Sequence, residues 1–326
     1  MKAIQFSEYG GPEVLQNVEM EQPKPEGREV LIEVYRSGVN YADTARRKGR
    51  YVVPTPLPFI PGAEVAGVVT EVGEKVTKVE PGTRVVTLTH SGGYAEYVKA
   101  DERGLIPIGE SLDFSTAVAL PLQGLSAYHV LTTMGRLEEG ETVLVHAAAG
   151  GVGSIAVQLA KLQGAGNVIA TASTEEKLAY ARELGADVGI NYTKEGWEKE
   201  VEEATNGQGV DVAMEMVGGD VFKKTLQLLG RFGRLVIFGS ASGEESRLNA
   251  GRLMEKNQSV IGFFLPQIMR KPELMQSSLE ALFTHLRAGE LKLQIGETFP
   301  LEEAAHVHEL MEGRKTKGKI ILDVKS

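Results

Sequence analysis

Two kinds of hydrophobic spacing divide this chain. From residue 1 to about 120, short runs rich in Val, Ile and Thr end at Gly or Pro signals: REVLIEVYRSG, AEVAGVVTEVG, TRVVTLTHSGG and GYAEYVKA. Turn-bounded runs of this kind predict an antiparallel, barrel-like β domain. One helical interruption, YADTARRKG at 41 to 49, follows Ser37-Gly38-Val39-Asn40. Beyond about 120, strands rich in Val and Ile alternate with helical segments: TVLVHAA, NVIATAS, VGINY, VDVAMEMVG, RLVIFGS and SVIGFFL. Six strands joined by helices predict an α/β, doubly wound parallel sheet. After Leu265 come a long helical pattern, PELMQSSLEALFTHLRAGEL, a second near LEEAAHVHELMEG, and a terminal strand, KIILDV. A complete six-stranded sheet has no place for them. The expected organisation is therefore a first domain at 1–121, a parallel-sheet domain at 122–265, and a return to the first domain at 266–326.

Composition narrows the chemistry. The 326 residues contain no cysteine, which removes disulfides, thiolate nucleophiles and cysteine-ligated zinc or iron–sulfur clusters. With 44 acids against 35 bases the net charge is −9, which disfavours a broad basic face for nucleic acid or anionic lipid. The start, MKAIQFSEYGGPEVL, lacks the features of a secretory signal, and no run approaches the roughly 18 apolar residues of a membrane span. A cytoplasmic protein with no membrane or nucleic-acid partner is expected. His306 and His308 lie two apart on a predicted helix, and His90, His129, His146 and His285 show no ligand spacing, so no metal site is expected.

The strongest chemical signal is the predicted strand Thr142 to Val145 running through His146-Ala147-Ala148-Ala149-Gly150-Gly151-Val152-Gly153 into an amphipathic helix. Missing side chains at Gly150 and Gly153 would let a pyrophosphate approach the backbone, where helix N–H groups face its charge. Dinucleotide binding follows. The next strand ends Ile169-Ala170-Thr171-Ala172-Ser173-Thr174, without the acid that would hold a ribose 2′-hydroxyl. Ser173 and Lys177 instead offer a hydroxyl and a cation to a 2′-phosphate, which favours NADPH, although Glu175 and Glu176 stand close by.

These residues resemble the zinc-free quinone oxidoreductase branch, which includes zeta-crystallin, of the medium-chain dehydrogenase/reductase superfamily. The likeness is carried by Gly140-Glu141, Leu144, Ala148 to Gly151, Gly153, Gln158 and Lys161, by GGPEVL at 10 to 15, Pro61-Gly62, and GRKTKGK at 313 to 319. It implies a GroES-like β-barrel catalytic domain and a six-stranded Rossmann domain. Where zinc-dependent relatives carry a metal-ligating cysteine and a Gly-His-Glu, this chain has Asn40 and Gly62-Ala63-Glu64. By the same resemblance, Tyr51 stands beside the nicotinamide, Ala149 to Gly153 at the pyrophosphate, and Ser173, Lys177 and Tyr192 at the 2′-phosphate end. Gln123, Ser126 and Arg314 join the cofactor contacts, as do Phe238, Gly239, Ser240 and Ala241 and then Phe263, Phe264 and Leu265 at the ends of the last two strands. Asn40 is expected to donate an amide hydrogen to the nicotinamide or substrate carbonyl. Tyr51 is the expected proton donor or positioning group with Tyr41 behind it, and Asp43 is expected to orient neighbours or cap a helix. The implied activity is reduction of a small-molecule quinone by hydride from NADPH. Reduction of activated double bonds, in 2-alkenals, enones or enoyl thioesters, is the alternative, and a catalytically idle NADPH-binding protein the competitor from another class. The resemblance also implies a homodimer through the sixth strand, Ser259 to Leu265.

Overall fold

In the computed structural model, which describes all 326 residues, the turn-bounded runs of the first third become strands around one long, bulged ribbon. The elements are β1 (Lys2–Gln5), β2 (Gln16–Glu19), β3 (Glu29–Gly38), α1 (Tyr41–Arg47), β4 (Glu64–Val72), β5 (Arg84–Leu88), β6 (Tyr97–Asp101), β7 (Leu105–Pro107) and α2 (Phe114–Ala119). Beyond them lie α3 (Pro121–His129), β8 (Thr142–Val145), α4 (Gly151–Leu162), β9 (Asn167–Ala172), α5 (Glu175–Glu183), β10 (Val188–Asn191), α6 (Trp197–Ala204) and β11 (Val210–Glu215). The chain ends with α7 (Gly219–Leu228), β12 (Leu229–Ile237), β13 (Ser259–Gly262), α8 (Leu265–Met269), α9 (Pro272–Arg287), β14 (Ile295–Pro300), α10 (Ala304–Glu312) and β15 (Lys319–Asp323).

Two compact units result, Met1–Leu122 with Leu293–Ser326, and Gln123–Lys292. In the first, the main sheet runs β14-β15-β3-β4-β5-β7, with β6 also on β3. β3 pairs along one side with β4; along the other, its first half takes β6 and its last residues take β15. Register shifts at Leu31/Ile32 and Val34/Arg36 bend it, as bulges do. Alternate residues Val30, Ile32 and Val34 point into a core with Ile4, Phe6, Val65, Tyr94 and Leu322. The pairing of Gly38 with Ile321 brings the start of β15 beside the end of β3. That placement builds the site described below.

In the second unit all six strands are parallel in the order β10-β9-β8-β11-β12-β13. Their apolar runs are buried because helices cover parallel sheets, and Leu144, Ile169, Ile190, Ala213 and Leu235 pack with Trp197 and Phe222. The chain does not leave this unit at Leu265, as its helical periodicity suggested. It stays through Lys292: Ser278 of α9 is buried with its hydroxyl 3.1 Å from His129 Nε2, and the Gln158 side chain bonds both backbone groups of Lys292. These polar anchors, which hydrophobic spacing does not reveal, set the crossing point. β14, α10 and β15 lie in the first unit. No helix is long and apolar enough to cross a membrane.

Two histidines are sealed in the second unit. His146 is held between the hydroxyls of Thr171 at 2.9 Å and Thr225 at 2.8 Å, and His129 between those of Thr133 and Ser278. Burial pushes each down to about 4. The unfolded chain binds a proton at each below pH ~6.5, so their contribution is present above that pH and is lost as pH falls toward 4. Each is expected to give a slope of about 1.4 kcal/mol per pH unit. In urea unfolding, wild type should lose more stability than His146→Gln between pH 7 and pH 5, the difference being the His146 share, about half of the pair's slope, since groups such as Asp43 titrate alike in both proteins.

Candidate active site

The chemistry-bearing residues of the first unit gather where β3, β4 and β15 meet. Lys319, the first residue of β15, and Glu64, the first of β4, are both buried and form an ion pair. The Lys319 ammonium also donates to Asn40 Oδ1 at 2.9 Å and to the Val39 carbonyl at 3.2 Å. Asn40 Nδ2 donates to Glu64 Oε1 at 2.9 Å and to the Gly38 carbonyl at 3.3 Å, and Glu64 Oε2 accepts from the Leu122 N–H at 3.1 Å. Because an ammonium only donates and a carboxylate only accepts, these partners fix which way the amide faces. Gly38 is required here, since a Cβ would lie 2.6 Å from Glu64 Oε1 and 2.7 Å from Lys319 Cε.

This geometry corrects one expectation. Asn40 does not present a free amide donor: both its hydrogens and its oxygen are engaged inside the cluster. A buried ion pair needs that saturation, because each unsatisfied lone pair or proton would add to an already large desolvation cost. Asn40 is a brace of the site in this arrangement.

Asp43 orients its neighbours. Its carboxyl accepts from the Asn40 N–H at 2.9 Å, closing the start of α1, and from the Gly62 N–H at 3.4 Å and the Tyr94 hydroxyl at 3.3 Å. Tyr94 also lies 3.2 Å from His308 Nε2. Burial pushes the Asp43 carboxyl up to about 6, against the lowering effect of the Asn40 and Gly62 N–H groups and of Lys319. Tyr51 stands beyond the C-terminal end of α1 with the Arg46 guanidinium 3.9 Å above its ring. Its phenol is raised, mainly by burial, with Arg46 opposing. Tyr41, at the opposite end of α1, is also raised by burial, and Arg314 is close enough to oppose the shift. Arg314 belongs to this unit, just after α10, with a left-handed backbone.

In the second unit, the expected cofactor residues collect at one edge, the C-terminal ends of the parallel strands. After β8 the chain turns through Ala147, whose φ is 49°, into Ala149, Gly150, Gly151, Val152 and Gly153 at the start of α4. No side chain caps that helix, so its first-turn N–H groups lack intrahelical acceptors. Gly153 packs on the strand, where a Cβ would lie 2.3 Å from the Ala147 carbonyl. At Gly151 a Cβ would strike the Gln123 amide of α3, whose Oε1 is buried with no hydrogen-bond partner. Ser126 lies one turn further along α3. The uncapped first-turn N–H groups and the glycines fit an anionic pyrophosphate, which needs donors and a backbone bare of side chains; Gln123 Oε1, an acceptor, calls for a donor instead.

Ser173 follows β9, Thr174 caps α5 by accepting from the Lys177 N–H, and the Tyr192 N–H bonds to the Ala172 carbonyl, so Ser173, Lys177 and Tyr192 share one corner. Phe238 to Ala241 follow β12, with the Phe238 N–H on the Glu215 carbonyl and the Ala241 N–H on that of Met216. Phe263 and Phe264 follow β13, and Leu265 opens α8. Gly218 and Gly219 both have positive φ, and the buried Glu215 carboxylate holds their turn through the N–H groups of Val217 and Gly218.

Three residues of consequence escaped sequence reasoning. Glu64 and Lys319 sit inside the motifs Gly62-Ala63-Glu64 and GRKTKGK but carry no signal of being paired. Arg46 reads as one member of a basic run.

Comparison with known proteins places these faces in a family. Residues 26–110 match the alcohol dehydrogenase GroES-like domain and residues 151–280 the zinc-binding dehydrogenase family. A quinone oxidoreductase of Pseudomonas aeruginosa is 37% identical over 98% of this chain and 99% of its own length, and one of Homo sapiens 36% identical over 99% and 97%. The chain belongs to the zeta-crystallin-like quinone oxidoreductase branch of the medium-chain dehydrogenase/reductase superfamily. An Escherichia coli quinone oxidoreductase solved in complex with NADPH superposes with a TM-score of 0.94 at 34% identity, covering 99% of this chain and 100% of that one. The zinc in the second family's description does not fit the residues here. Ala63 supplies a methyl and Asn40 an amide, Glu64 is taken by an ammonium, and no group of three His, Cys, Asp or Glu residues could hold a metal.

Removing one member of the buried pair should leave the other uncompensated. Lys319→Met is expected to cost about 3–5 kcal/mol in denaturant unfolding. The double variant Glu64→Gln with Lys319→Met should be the more stable of the two, and equal stabilities would deny that the charges are coupled.

Proposed function

We propose that this protein reduces a quinone by directing hydride transfer to it from NADPH without a metal ion. The observation that carries the reading is the closed Asn40–Glu64–Lys319 cluster, in which Asn40 stands where zinc-dependent relatives carry a metal-ligating cysteine and Glu64 adjoins the Ala63 that replaces their histidine: a lysine cation already neutralises the carboxylate. Family membership, and the NADPH complex of the Escherichia coli relative, support the cofactor. NADPH, when bound, supplies the hydride. The residues of the second unit would bind and orient it: the N–H groups of Gly151 to Gly153 would meet the pyrophosphate, and Ser173, Lys177 and Tyr192 the 2′-phosphate end. In the first unit, Tyr51 positions the acceptor. Hydride addition at a quinone carbonyl oxygen delivers two electrons and yields a phenolate directly, whereas addition at a ring carbon yields an enolate that becomes the phenolate when the proton on that carbon shifts; in both, aromaticity drives the reduction. A proton then completes the hydroquinone, so no Lewis acid is required.

A second reading, reduction of activated double bonds, is favoured by one feature. Burial holds the Tyr51 phenol protonated, which suits it to protonate an enolate. The β13 edge pairs only with β12, and a second copy of this chain pairing there is part of the reading.

NADPH oxidation with a simple quinone is expected to exceed NADH oxidation at least tenfold and to survive exhaustive chelation. Loss of activity to a chelator, restored by zinc, would overturn the metal-free reading. In Tyr51→Phe, 2-alkenal reduction should fall about ten- to a hundredfold more than quinone reduction if the phenol is the proton donor. Equal falls would assign it positioning alone.

A further inference from the structure

Four cations stand within five residues at the end of α1 and just after it: Arg46, Arg47, Lys48 and Arg50. Arg47 and Lys48 share one carboxylate, that of Glu312. Arg46 turns the other way. Its guanidinium lies over the Tyr51 ring, with its central carbon 5.3 Å from the centre of the Phe59 ring, and Nη1 is 3.3 Å from the Thr55 hydroxyl. All these partners are neutral. In a chain of net charge −9, a cation whose only role is stability would readily find a carboxylate, and this one has none within ion-pair distance. A guanidinium carries five N–H donors, more than its contacts with the Thr55 and Tyr51 side chains use, and its planar fork matches an oxyanion.

The surroundings are built rather than loose. The loop after Arg46 is anchored by the Tyr9 hydroxyl, which donates to the Thr55 carbonyl at 2.7 Å, and by the Tyr9 ring, which lies against Gly49. Beside Tyr51 this loop exposes Val52, Val53 and Leu57, with Val52 73% accessible. A cation stacked on an aromatic ring, edged by apolar side chains, suits a molecule with an apolar planar body and one negative substituent.

We propose that Arg46 is a specificity-determining residue that selects acceptors bearing a carboxylate, sulfonate or similar oxyanion. The inference deepens the function proposed above and rests on Tyr51 standing at the acceptor. The test compares kcat/KM at saturating NADPH for 1,4-naphthoquinone and for its 2-sulfonate, in wild type, Arg46→Met and Arg46→Lys. The ratio of sulfonated to neutral acceptor is the readout, since any displacement of Tyr51 affects both. It should fall about tenfold in Arg46→Met, fall less in Arg46→Lys, and decline with added salt in wild type but not in Arg46→Met. A ratio unchanged by Arg46→Met, with both proteins equally folded by circular dichroism, overturns the proposal. If neither quinone is turned over, the quinone-reductase reading fails. The Arg46 site is then judged by calorimetric titration with the sulfonate, where weaker binding to Arg46→Met supports it and equal binding overturns it.

Discussion

An ammonium and a carboxylate buried together are tolerated only when every donor and acceptor around them is occupied, and the first unit is arranged to meet that condition. Lys319 has three donors and three acceptors around it; Glu64 receives bonds from Lys319, Asn40 and Leu122. Three strands and the start of α3 are thereby tied to one point. Asn40 and Gly38 follow from it, one because its amide can face both charges, the other because nothing larger fits. Asp43 extends the same order through the backbone of Asn40 and Gly62 to Tyr94 and His308.

The strand ends of the second unit follow the opposite rule. They leave polar groups open: an uncapped helix, a buried amide oxygen on Gln123 without a partner, and a turn whose glycines exclude side chains. The Lys319–Glu64–Asn40 cluster saturates its polar atoms, while these strand ends withhold partners and offer a ligand surface. The cost is visible at Ala147, held in the left-handed region where most residues are strained.

The sequence made the periodic features legible. All six parallel strands, the helix after Asn40 and the glycine turn could be read because hydrophobic spacing and small-residue turns are local signals. Grouping Ser173, Lys177 and Tyr192 came from the family resemblance, with Tyr192 fitting because it follows the third parallel strand. What escaped was non-local and polar. The role of α9 depends on Ser278 meeting His129, 149 residues away in sequence. Asn40 was readable as a site residue, but its engagement by Glu64 and Lys319 depends on a strand pairing that no spacing announces. Arg46 was hidden because a basic run looks alike whether its members face water, a carboxylate or an aromatic ring.

The separation between Lys319 and its partners has a consequence for synthesis. Glu64 and Asn40 precede it by 255 and 279 residues, so nearly the whole polypeptide leaves the ribosome before the cluster can close. The second unit, whose strands are continuous in sequence, can fold while translation proceeds. During that interval Glu64 has no counter-charge, and the first unit must wait, open and hydrated at its centre, for the last strand to arrive. Truncated nascent chains would therefore carry a finished nucleotide-binding fold joined to an unfinished barrel.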